Sequence, residues 1–131
     1  PIEVEDLTKH KMNSEQIIIG KEACDIVNKA KREEHRVCVI GITTARATET
    51  AVSTDGQLKE YDGWTNKFIF PPYEYGLANS MIVNFYHPES TMLMATAAFG
   101  GYDIVMKAYE EAVKNGYKFG CYGDSLLIVD D

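Results

Sequence analysis

The stretch Gly41-Ile42-Thr43-Thr44-Ala45-Arg46-Ala47-Thr48-Glu49 gathers hydroxyls, a guanidinium and a carboxylate in a short space. An apolar run leads into it and helical spacing follows. A strand that ends in Thr43-Thr44 at a helix start presents free backbone N–H groups beside the hydroxyls. That arrangement suits an anion, either a carboxylate or a phosphate. Arg46, in the first turn, adds a fixed positive charge able to grip such a group bidentately. Glu49, three residues on, is placed to pair with Arg46 on the same face. The plain alternative is a threonine N-cap with a surface Arg46–Glu49 ion pair. Of the three glycines that a dinucleotide-binding turn needs, only Gly41 is present.

A second group is Asn84-Phe85-Tyr86-His87-Pro88-Glu89-Ser90-Thr91, where a strand yields to a polar loop that opens a helix. Strand ends that lead into helix starts form the ligand edge of an α/β sheet. His87 and Glu89 are proton-carrier candidates, and a histidine near its ordinary pKa can act at neutral pH. A solvated loop histidine and a Ser90 helix cap are the plain alternatives. The third group, Tyr122-Gly123-Asp124, offers a turn glycine and a carboxylate that either caps the turn or meets a polar ligand. In the fourth, Lys11-Met12-Asn13-Ser14-Glu15, Glu15 is either a base or a solvated strand start. His10 and His35 have no ligand spacing with His87, so no metal site is expected. The cysteines, Cys24, Cys38 and Cys121, are odd in number and widely spaced, so neither a zinc site nor a disulfide framework is expected. Cys38, inside an apolar run, reads as a buried thiol, and a reducing cytoplasm fits best.

The elements that must position these groups follow from periodicity. Ser14 to Gly20 is a β-branched run ending at glycine and predicts a strand. Ala23, Ile26, Val27 and Ala30 recur at helical spacing, predicting a helix over Lys21 to Arg32. Val37 to Ile42 predicts a short strand covered on both faces. A helix over Ala45 to Val52 follows, then a turn at Ser53-Thr54-Asp55-Gly56. Lys67 to Phe70 and Met81 to Phe85 read as strands, and Ser90 to Phe99 as a buried helix broken at Gly100-Gly101. Asp103 then caps an amphipathic helix whose apolar face is Ile104, Val105, Ala108, Tyr109, Ala112 and Val113, closed at Asn115-Gly116. Tyr117 to Cys121 and Leu126 to Val129 read as the last strands. The succession of helix, strand, turn and helix predicts the α/β class, a layered sheet with flanking helices and a parallel element.

The chain has 131 residues and a formal net charge of −7, from 13 Lys+Arg against 20 Asp+Glu. That length suits one domain with its own core. No apolar run is long enough to span a membrane. The start Pro1-Ile2-Glu3-Val4-Glu5 lacks a secretory pattern and an initiator Met, so processing or excision from a longer chain is expected. The acidity argues against a free-standing nucleic-acid binder. Seven of the 13 basic residues nevertheless lie at or before Arg36.

Taken in order, the motifs resemble the C-terminal part of the S-adenosylmethionine:tRNA ribosyltransferase-isomerases of queuosine biosynthesis. The resemblance runs from His10 to Ile128. It is carried by His10, Met12, Ser14 and Glu15; by Gly41, Thr43, Thr44, Arg46 and Glu49; and by Gly63-Trp64-Thr65, Phe68-Ile69 and Pro71. Asn84-Phe85, Pro88, Ser90-Thr91 and Leu93-Met94 follow, then Tyr109, Phe119 and Tyr122-Gly123-Asp124.

The resemblance implies that this chain is the C-terminal portion of the larger α/β domain of a two-domain cytoplasmic enzyme, with an inserted β-barrel domain absent. The implied reaction moves the ribosyl group of S-adenosylmethionine onto a 7-aminomethyl-7-deazaguanine at the wobble position of tRNA. It gives epoxyqueuosine, adenine and methionine, and no metal is implied. In that setting Thr43, Thr44 and Arg46 would hold the carboxylate end of the cosubstrate, with Glu49 among the substrate-binding residues. Trp64, Phe85 and Tyr122 would offer surfaces for adenine and the flipped base, with Asn84, Ser90 and Thr91 beside them. Glu15 or Asp124 would take the proton next to the sulfonium, and His87 is a further proton carrier. The chain departs from the family pattern at Asn13 and Tyr86, where histidine is usual, and at Glu89, where lysine is usual. These departures leave a non-catalytic or altered-substrate paralogue as the alternative.

Overall fold

The computed structural model describes residues 12–87 and 90–129. The readings at His10, Lys11, Pro88 and Glu89 therefore lie outside the described residues. Strands β1 (Glu15–Ile19) and β3 (Tyr61–Thr65) form an antiparallel ribbon. Strands β2 (Cys38–Ile40), β4 (Ser80–Asn84) and β5 (Ser125–Val129) form a sheet in the order β2-β4-β5. β2 runs parallel to β4, and β5 runs antiparallel to it. Helices α1 (Lys21–Arg32), α2 (Ile42–Ala51), α3 (Thr91–Gly100) and α4 (Tyr102–Lys114) complete the α/β fold.

The core lies between one face of the sheet and helices α2, α3 and α4. Val39, Met81 and Val83 pack there against Ile42, Ala45 and Ala95. Phe85, Leu93, Ala97, Val105, Tyr109 and Ala112 continue it, with Leu126 and Ile128 of β5. β2 is therefore covered on one face only, contrary to the expected two-sided burial. Val39 is buried, while Ile40 is exposed. Cys38 shares that outer face, and its thiol is exposed rather than buried.

Helix α1 forms where its spacing predicts, but it turns Cys24 inward and leaves Ile26 exposed. The cause is polar. Asn28 donates to Leu58 O at 2.9 Å and accepts from Leu58 N at 2.8 Å. Both backbone groups of Leu58 are thereby satisfied, which fixes the helix's rotation.

Two expected strands are absent. Among the described residues, Lys67 to Phe70 lies outside the named strands. Instead Ile69 inserts into the core, and the Lys67 carbonyl is taken by a side chain of α2. Tyr117 to Cys121 is a loop wrapped around the end of β4. β3 occupies a stretch that the sequence left unassigned. At the start of α4, Gly101 is the N-cap, with φ of 93°, and Asp103 sits in the first turn. There it complements the helix dipole rather than capping. Ile104 and Val113, expected on the apolar face, are exposed.

Candidate functional site

The parallel strands β2 and β4 end side by side, and α2 and α3 begin there. Gly41 makes the turn at the end of β2 with φ of 88°, in the left-handed region that favours glycine. Helix α2 starts at Ile42, so Thr43 and Thr44 are first-turn residues and the cap position is Gly41. At this edge lies a cleft of about 240 Å³ lined by Glu15, Gly41, Thr43, Arg46, Tyr86 and Thr91, among others. It joins three of the four motif groups.

Arg46 is 5% exposed. Its Nη1 pairs with Glu15 Oε2 at 2.9 Å, and its Nε donates to the Lys67 carbonyl at 2.9 Å. Its Nη2 is buried and, among the described residues, has no hydrogen-bond partner. An unpaired buried N–H of a charged group is costly, so a ligand oxygen reaching it recovers energy at this spot. Glu15 is the sole carboxylate that lines the cleft among the described residues, and its side chain is 46% exposed.

The expected Arg46–Glu49 pair does not form. Glu49 is buried and turns to the 73–77 segment. It accepts from Gly76 N at 2.9 and 3.1 Å, from Leu77 N at 3.2 Å and from the Tyr73 hydroxyl at 2.9 Å. Three converging donors satisfy its oxygens better than one guanidinium already engaged elsewhere. Burial, with the Glu49 hydrogen bond and charge, pushes the Tyr73 hydroxyl well above its ordinary pKa. Burial and the Glu49 charge do the same to Tyr75.

The other motif residues are distributed as follows. Thr44 faces a neighbouring apolar hollow between α1 and α2. Ser90 caps α3, its Oγ accepting from Leu93 N at 3.1 Å, and Thr91 beside it lines the cleft. His87 is exposed on the loop and does not line the cleft. Trp64 is 64% exposed. It pairs with Gln16, so strand alternation puts it on the opposite ribbon face from Glu15 and Thr65. The Phe85 ring is 3% exposed. It is enclosed by Tyr109, Tyr117 and Phe119 at 5.1, 5.8 and 5.5 Å. Asn84 donates to the Cys121 carbonyl at 3.2 Å. Asp124 Oδ2 accepts from Lys118 N at 2.7 Å, and Tyr122 projects fully into solvent.

One cleft residue had no place among the sequence candidates. Tyr86, which stood in the second motif group and among the departures from the family pattern but was given no role, lines the cleft directly. Burial raises the pKa of its hydroxyl, and a backbone hydrogen bond from Ile42 at the start of α2 acts against that rise. The available signal was its place one step past a strand end on the ligand edge. Among the described residues no cluster of His, Cys, Asp and Glu is arranged for a metal, and no helix is long and apolar enough to cross a membrane.

A sequence family described as queuosine biosynthesis protein matches residues 1–128. The S-adenosylmethionine:tRNA ribosyltransferase-isomerase of Phocaeicola vulgatus is 61% identical over 129 residues, covering 98% of this chain and 37% of the relative. That of Bacteroides fragilis is 62% identical with the same coverage. The crystal structure of an S-adenosylmethionine tRNA ribosyltransferase from Thermotoga maritima superposes with a TM-score of 0.80 at 40% identity. That match covers 86% of this chain and 39% of the other. The chain thus spans well under half the length of these relatives.

Proposed function

The chain belongs to the queuosine biosynthesis protein family, and we propose that it is the C-terminal portion of an S-adenosylmethionine:tRNA ribosyltransferase-isomerase. In this reading the whole protein transfers and isomerises the ribosyl group of S-adenosylmethionine onto the 7-aminomethyl-7-deazaguanine of a tRNA wobble position. It works in the cytoplasm, with no metal. The observation that carries the reading for this chain is the buried Arg46 near the start of α2, with a nitrogen that has no partner among the described residues.

The cleft, at about 240 Å³, is smaller than the roughly 300–1,000 Å³ of a complete small-molecule site. It suits one end of the cosubstrate, and the amino-acid carboxylate is the end whose chemistry fits Arg46, Thr43 and the dipole at the α2 start. Glu15, on the same wall, is the group we assign to accept the proton from the carbon next to the sulfonium. Loss of that proton breaks the C–H bond and leaves its electron pair on a carbon that the adjacent sulfonium stabilises. Trp64 and Tyr122, exposed and away from the cleft, suit contacts with the tRNA base or with other parts of the protein.

The outer face of the β2-β4-β5 sheet supports the domain assignment. Ile40, Leu127 and Val129 are exposed there, on the side away from the helices. A larger α/β domain, carrying a β-barrel inserted upstream, would cover such a face. A second reading, a paralogue with an altered substrate, is favoured by Tyr86 in the cleft, where the resemblance leads one to expect histidine.

The experiment is adenine release by the complete polypeptide incubated with S-adenosylmethionine and tRNA bearing the 7-aminomethyl-7-deazaguanine. Release of one adenine per modified tRNA is expected. Binding of S-adenosylmethionine without release would favour the paralogue reading, and no binding would refute both.

A further inference from the structure

Tyr122-Gly123-Asp124 lies outside the cleft lining, yet the loop it closes holds the strand end that feeds the cleft. Phe85 N donates to Asp124 O at 3.2 Å, and Gly120 N donates to Phe85 O at 3.0 Å. The loop is closed on itself by Asp124. Its Oδ2 accepts from Lys118 N at 2.7 Å, and its N donates to Lys118 O at 2.8 Å. Gly123 permits that closure, because a Cβ there would run into the Lys118 carbonyl.

The next residue is held from a different element. Tyr86 N donates to the Tyr109 hydroxyl at 2.8 Å. The Tyr109 ring stands edge-on to Phe85 at 5.1 Å and to Phe119 at 5.6 Å. It therefore has little freedom to follow a displaced loop. The backbone at Phe85 and Tyr86 is thus fixed from the 118–124 loop on one side and from α4 on the other. The Tyr86 side chain, so fixed, lines the cleft with Thr43 and Arg46.

We propose that Tyr109, Gly123 and Asp124 are positioning residues that act through the Phe85–Tyr86 backbone to set Tyr86 as a ligand-contacting wall of the cleft. Asp124 serves in this role as a hydrogen-bond acceptor and not as a proton carrier, so an amide oxygen can replace its carboxylate. For its ligand the proposal rests on the S-adenosylmethionine reading above.

The test is calorimetric titration of S-adenosylmethionine into the complete polypeptide, with melting temperatures and adenine-release kinetics on the same variants. Tyr109→Phe keeps the ring and removes one acceptor from Tyr86 N. It is expected to weaken binding by about fivefold to tenfold, the scale of one hydrogen bond. That loss should appear in KM for the cosubstrate more than in kcat. Asp124→Asn should bind and turn over within about twofold of the unsubstituted protein, whereas Asp124→Ala should lose about tenfold in affinity. Unchanged affinity and KM in a folded Tyr109→Phe protein would overturn the proposal. So would an Asp124→Asn protein that binds normally and releases no adenine, the signature of a proton carrier. Failure of the unsubstituted protein to bind S-adenosylmethionine would overturn the functional reading, and this proposal with it.

Discussion

Arg46 and Glu49 stand about one turn apart on α2, both buried, and their surroundings serve different ends. Glu49 meets three donors from the 73–77 segment, and every one belongs to the protein. Arg46 meets Glu15 and a carbonyl, lines a cleft and, among the described residues, has no partner for its buried Nη2. A buried charge surrounded by its own partners is a fold element, since removing it strands those partners. A buried charge with unused hydrogen-bonding capacity at a ligand edge is a binding element. On one helix, the half nearer the sheet edge is the proposed recognition element, and the other half staples a loop.

The largest effect that would expose this contrast is on stability at Glu49. Glu49→Ala leaves the Gly76 and Leu77 N–H groups without acceptors and should cost about 3 kcal/mol or more by denaturant unfolding. A cost below about 1 kcal/mol, the scale of a surface pair, would mean that the 73–77 staple is not a fold element. Next comes Arg46→Ala, which should weaken S-adenosylmethionine binding by roughly tenfold to a hundredfold, the scale of a charge-assisted hydrogen bond. Its stability loss should be smaller than that of Glu49→Ala, because the Glu15 it strands is half-exposed. Glu15→Gln should change stability by only about 0–1 kcal/mol, and should abolish adenine release while S-adenosylmethionine still binds. Normal turnover in that variant would remove Glu15 as the base.

The smallest effect is in alkaline solution. The Tyr73 and Tyr75 hydroxyls hold their protons more tightly in the folded chain than when unfolded. Their contribution is fully present below the unfolded tyrosine pKa of about 10 and is lost as pH rises above it. Unfolding free energy should therefore decline above about pH 10, and Tyr75→Phe should make that decline shallower. An identical pH profile in the variant would contradict the assigned cause.

Much of this arrangement was legible in the sequence. Local periodicity located α1, α2, α3 and β4, but α2 and α4 begin at the Gly41 and Gly101 caps, ahead of the threonine and Asp103 caps that local spacing suggested. Local spacing also put Arg46 and Glu49 on neighbouring faces of α2, which is correct as geometry. It could not supply their partners, because Glu15, Lys67 and Gly76 come from distant parts of the chain. The same limit explains Lys67 to Phe70, whose alternation mimics a strand although its groups are satisfied by α2 and the core. Cys38 was misjudged because an apolar run gives no sign of which sheet face lacks a covering layer. Phe85 and Asp124 read as site residues by position, while their contacts are with the aromatic cluster and the 118–124 loop.

The central claim is that Arg46 at the start of α2 binds the carboxylate end of the cosubstrate. Calorimetric titration of S-adenosylmethionine into the complete polypeptide, unsubstituted and Arg46→Ala, tests it most directly, with the melting temperature of each measured alongside. The account predicts saturable binding to the first and at least about tenfold weaker binding to a still folded second. Equal affinity in two folded proteins would contradict it.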